Sequence, residues 1–180
     1  MSVVSCPHPL LARERITDAD WEAVAGSTAP RAKAALTEEH QPIREWEYLL
    51  HDGSKLVIGV EGDPPDWAVP TFRRLGELLE LAPNWDSYGA CPINPDHARA
   101  AIELLMLVMQ DDTPAPTVVP TNRGGVQLEW HTGGIDLEIE TLSSHRFLVS
   151  FEDSATEREW ELTSDFTPLV ECIGKLSRRA

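Results

Sequence analysis

Five polar side chains in the C-terminal half concentrate chemistry: Glu129, His131, Asp136, Glu138 and Glu140. Four carboxylates and one imidazole offer oxygen and nitrogen donors for a hard or borderline divalent cation. Glu129 with His131 would also suit acid–base work. The bland alternative is a solvated sheet face, where water screens exposed carboxylates. A second group is Asn84, Trp85, Asp86, Ser87 and Tyr88, where two large aromatics sit among hydrogen-bonding side chains. It reads either as a pocket wall with polar contacts or as a structural elbow. In the elbow, Trp85 and Tyr88 plug the core, Asp86 caps local amides and Gly89 supplies a positive φ. The two readings differ in one observable. The elbow hides the Asp86 carboxylate in a closed turn, and the pocket leaves it open to solvent.

The first group needs strands to position it. Side chains alternate across a strand. Val126, Leu128 and Trp130 therefore face one way, and Gln127, Glu129 and His131 the other. Ile135, Leu137 and Ile139 share a face, opposite Asp136, Glu138 and Glu140. A tight turn between the two runs aligns both sets. Phe147, Val149 and Phe151, then Trp160 and Leu162, continue the apolar face. Like charges opposed in a sheet are destabilising. A basic partner, a cation or a nearby base such as Arg146 would offset them.

Strands are expected over residues 117–119 (closed by Pro120), 126–131, 135–141, 146–152 and 159–162, separated by short Gly- or Ser-containing turns. Loops this short require antiparallel neighbours. Upstream, residues 43–50 and 55–60 read as a hairpin joined by His51-Asp52-Gly53-Ser54, since Asp-Gly between apolar runs is a turn signal. A helix is expected over residues 71–81, with Phe72, Leu75, Leu78 and Leu79 on one stripe, stopped by Pro83. A second opens with Asn94 as cap and Pro95 at its first position and runs to about Met109. Ala98, Ala101, Ile102, Leu105, Val108 and Met109 form its apolar face, which Leu104 and Leu107 widen. A last short helix is expected over residues 169–176. Two weaker helices, over residues 18–25 and 30–40, belong to an N-terminal appendage. The fold class is therefore α+β: residues 1–41 as a helical appendage and 42–180 as one domain, its central core helices packed on a C-terminal antiparallel meander.

Composition narrows the function classes. Fifteen basic residues face thirty acidic ones, a formal net charge of −15. That surface repels phosphate backbones and anionic lipids and attracts basic proteins or cations. Direct nucleic-acid binding and membrane binding are thus not expected. Cys6, Cys91 and Cys172 are odd in number and widely spaced. No disulfide framework and no cysteine-based zinc site is expected from them. No N-terminal run resembles a signal peptide and no apolar stretch would span a bilayer, so the expected location is cytoplasmic.

Several segments carry a resemblance: Asn84-Trp85-Asp86-Ser87-Tyr88-Gly89-Ala90, Pro92-Ile93, Val119-Pro120-Thr121, the run from Gly124 to His131, and Asp136-Leu137-Glu138-Ile139-Glu140. Over roughly residues 70–165 the chain resembles a family of small bacterial proteins of unknown function. The resemblance implies no activity.

No P-loop, G-x-S-x-G, dinucleotide fingerprint or H-E-x-x-H spacing occurs, so no catalytic residue is assigned and no cofactor is expected. The leading expectation is a small acidic interaction module that occupies a basic protein partner, in the manner of antitoxins and immunity proteins. The alternatives are a divalent-metal-dependent enzyme using the acidic sheet face, and a nucleic-acid mimic whose carboxylates imitate phosphates. An exposed edge at residues 159–162 offers a route to a homodimer unless the last helix covers it.

Overall fold

The computed structural model describes residues 43–50 and 53–177. The helices expected over residues 18–25 and 30–40, and the turn residues His51 and Asp52, lie outside them. The described residues hold three helices and two antiparallel sheets, of two and five strands, a mixed α+β chain.

The two-stranded sheet pairs β1 (Ile43–Leu49) with β2 (Lys55–Glu61). Its inward side chains alternate, so Leu56, Ile58 and Val60 are buried with Trp46 and Tyr48 opposite. They pack on α1 (Ala68–Leu79), which starts three residues earlier than its apolar stripe suggests. Pro70 falls in its first turn, where a missing N–H costs nothing. Tyr48 Oη donates to Phe72 O at 2.7 Å, and the Trp46 ring meets the Phe72 ring edge-on at 5.2 Å. Gly76 leaves room for the Tyr48 ring, which comes within 2.7 Å, at Cδ1, of where a Cβ would stand.

Helix α2 (Pro95–Val108) is capped as expected, with Asn94 Oδ1 accepting from Asp96 N at 2.9 Å. Its apolar side packs on the sheet through Ala98, Ala101, Ile102, Leu105 and Val108, all buried. Leu104 joins the core, but Leu107 is 49% exposed. The apolar face therefore ends one residue short of the breadth expected.

The large sheet is a simple meander in the order β3 (Thr117–Pro120), β4 (Val126–Thr132), β5 (Ile135–Ser143), β6 (Arg146–Asp153), β7 (Glu157–Leu162). Every pairing is antiparallel. Val126, Leu128, Trp130, Ile135, Leu137, Ile139, Phe147, Val149 and Phe151 are buried on one face, as alternation requires. Strand β7 begins two residues earlier than expected, at Glu157.

Helix α3 (Thr167–Ser177) closes the β6–β7 end. Lys175 Nζ reaches Asp153 Oδ2 at 2.8 Å. That bond, with the Ala155 amide, holds the Asp153 carboxyl below the usual carboxylate range. Arg158 projects inward from β7, its guanidinium 4.7 Å from the Trp160 ring and 5.5 Å from that of Phe151. Its Nη2 donates to Cys172 Sγ at 2.9 Å. Cys172 is free and buried, and burial pushes its thiol up despite the arginine. Cys91 carries a disulfide, which the cysteine count and spacing do not lead one to expect. Among the described residues no helix is long and apolar enough to cross a membrane.

Candidate functional site

On the meander's other face, among the described residues, the side chains follow from strand register. One row across the strands reads Thr117, Glu129, Glu138, Ser150, Glu159. The row beside it reads Val119, Gln127, Glu140, Leu148, Glu161. A third reads His131, Asp136, Glu152, Glu157. The face thus brings together Glu129, Asp136, Glu138 and Glu140 with His131 at the rim. It adds Glu152, Glu157, Glu159 and Glu161, making eight carboxylates in all. Reading along the chain misses the last four. The alternation Glu157-Arg158-Glu159-Trp160-Glu161 was the signal that would have revealed three of them.

The repulsion is offset locally. Glu129 and Glu138 are direct cross-strand partners. Gln127 Nε2 lies between them and donates to Glu129 Oε1 and Glu138 Oε2, 3.0 Å in each case. His131 Nδ1 lies 2.7 Å from Asp136 Oδ1, and its Nε2 lies 3.6 Å from Glu129 Oε2. The hydrogen bond His131 makes to the Asp136 carboxylate, then the charges of Asp136 and Glu129, raise the imidazole above its ordinary pKa. Arg146 does not serve Glu129, Glu138 or Glu140. Its Nη2 sits 2.8 Å from Glu161 Oε1 and 3.0 Å from Oε2.

The arrangement does not form a chelate. Glu129 and Glu138 are held by an amide, His131 by Asp136, and Glu140 stands in a different row. Among the described residues no three His, Cys, Asp or Glu side chains converge as a metal ion would require.

The aromatic loop folds onto itself. Asn84 N donates to Ala90 O at 2.8 Å, and Asn84 Oδ1 accepts from Gly89 N at 2.7 Å. Asp86 Oδ1 accepts from Tyr88 N at 2.8 Å and Ala90 N at 3.0 Å. These amides, Ala90 foremost, hold the Asp86 carboxyl below the usual range. Trp85 is half-buried and its Nε1 donates to Cys91 O at 3.0 Å. Asp86 caps local amides as the elbow expects, yet it is half-buried rather than hidden, and Trp85 is held by its main-chain bond rather than as a core plug. Tyr88 departs from the elbow further: its side chain is 94% exposed and plugs nothing. Asn84 and Ser87 carry φ of 66° and 65°, a left-handed conformation usually left to glycine.

The elbow seats on the β3–β4 turn. Cys91 N donates to Asn122 O and Asn94 N to Gly124 O, both at 2.9 Å, with His97 Nδ1 3.1 Å from the same Gly124 oxygen. Gly124 has φ 82°, and a Cβ there would stand 2.7 Å from Pro92 O. Two motifs far apart in sequence, Asn84 to Ile93 and Thr121 to Gly125, are thus two halves of one junction. His97 and Gly124 carry no sequence signal for that role.

No protein-family model, no curated protein and no solved structure matches the chain.

Proposed function

We propose that the protein is a small acidic interaction module whose outer sheet face occupies a basic protein partner. One observation carries the reading: eight carboxylates share a single sheet face with two bases, Arg146 and His131, each already engaged by an acid of that face. A face so charged speeds the encounter with a cationic surface and turns anionic ones away. Its backbone is already held in strands, so little main-chain freedom is lost on binding. The same field disfavours direct binding of nucleic acid.

The metal-dependent alternative lacks a chelating geometry among the described residues. A nucleic-acid mimic would use the same carboxylates on the same kind of basic site, and no observation favours it separately.

The test is a titration of the partner that co-purifies with the protein, against wild type and a Glu129→Gln, Glu138→Gln, Glu140→Gln triple variant. The variant should bind at least about tenfold more weakly, with a flatter dependence on salt. Unchanged affinity with an unchanged salt slope removes the reading.

A further inference from the structure

We propose that the free edge of β7 takes up an extended Lys/Arg-rich segment of a partner protein as a sixth antiparallel strand. This rests on the reading of the outer face as a surface for a basic partner, and adds how the partner is held.

Strand β7 ends the sheet order. The hairpin leading into it shows which of its main-chain groups are free. Asp153 N donates to Thr156 O at 2.9 Å and Thr156 N to Asp153 O at 3.4 Å, so these two residues are a hydrogen-bonded pair. Bonded and non-bonded pairs alternate along an antiparallel ladder. Arg158, Trp160 and Leu162 therefore exchange bonds with β6 through Phe151, Val149 and Phe147. Glu157, Glu159 and Glu161 turn their N–H and C=O groups to the open side. Among the described residues no main-chain group outside β6 meets them.

The opposite edge of the sheet is blocked. Strand β3 is four residues long, ends in Pro120, and its Val118 carbonyl accepts from Arg74 Nε at 3.2 Å. Among the described residues no such device covers β7, whose edge carries charge instead. That charge selects the occupant. The residues with free main-chain groups are the same three whose carboxylates lie on the outer face. A strand added there sets its own side chains directly beside Glu157, Glu159 and Glu161, where opposite charges attract and like charges repel. A second copy of β7, run antiparallel, places glutamate against glutamate. A segment with Lys or Arg at every second position places a cation against each. Its intervening residues turn to the inner face, on the side of Arg158 and Trp160, where β-branched threonine suits a strand.

The probe is the peptide Lys-Thr-Lys-Thr-Lys-Thr-Lys, titrated into the ¹⁵N-labelled full chain with amide hydrogen exchange as the readout. At saturation, exchange at Glu157, Glu159 and Glu161 should slow by at least about tenfold, while Arg158 and Trp160, already bonded to β6, stay as they were. The same peptide N-methylated at its lysine amides keeps its charge but cannot donate, and should bind at least about tenfold more weakly. Binding without protection at those three amides, or equal binding of the methylated peptide, overturns strand addition and leaves the charged-face reading standing. No binding of either peptide also overturns it, and the triple-variant titration then decides the broader reading alone.

Discussion

Glu129 and Glu138 stand opposite each other on neighbouring strands, and one amide makes that tolerable. Gln127 donates to both, so its hydrogen bonds offset a like-charge contact that is otherwise destabilising. His131 acts similarly at the rim, and its behaviour with pH follows from geometry. The Asp136 hydrogen bond leads the causes that raise its pKa in the fold. A group whose pKa is raised on folding adds stability at pH below its unfolded value. That contribution fades as pH climbs through the raised folded value. We expect the His131 ring to titrate by NMR above an unstructured histidine and Asp136→Asn to bring the midpoint down. A midpoint indifferent to that substitution would show that Asp136 does not control the ring. Protonation of His131 also reduces the negative field of the face, so affinity for a cationic partner should fall as pH drops through the same range.

Among the elements, the contact of the β1–β2 hairpin with α1 depends on a missing side chain. The Tyr48 ring lies over Gly76, and its hydroxyl is tied to Phe72 O at 2.7 Å. The ring therefore cannot swing aside without losing that bond. Gly76→Ala should destabilise the protein by about 1–3 kcal/mol, the usual cost of overpacking. In a Tyr48→Ala background the same change should be neutral or stabilising by about 0.5–1 kcal/mol, because alanine is the better helix former. Urea unfolding of the four proteins measures both. Additive effects would mean that the ring and the glycine are not coupled.

For the molecule as a whole, a formal net charge of −15 should make salt act with opposite signs on folding and on binding. Screening relieves self-repulsion across the acidic face, so the melting temperature should rise between about 0.01 and 0.15 M salt, as the Debye length shrinks from about 30 to 8 Å. For a chain of this size each kcal/mol of relief corresponds to about 2–4 °C. The same screening weakens attraction to a basic partner, so affinity should fall over that range. Parallel changes in the two quantities would argue against an electrostatic interface.

Much of the architecture was legible because it is local. Alternation with period two sorted Glu129, Asp136, Glu138 and Glu140 onto one face and Leu128, Leu137 and Ile139 onto the other. The short turns forced a meander, and Asn94-Pro95 set the start of α2. Other features depended on what lies across space. Which carboxylates become neighbours is decided by register, and strand pairing, not sequence distance, brought Glu159 into the row of Glu129 and Glu138. Alternation turned Arg158 inward with Trp160, but its contacts with Cys172 Sγ and the Phe151 ring came from other elements of the fold. Tyr88 stayed outside because main-chain bonds close its loop without it. Strand alternation, a local property of the chain, set the faces. The tertiary structure alone decided the neighbours, since an electrostatic or hydrogen-bonding contact is set by distance between side chains and not by their spacing along the chain.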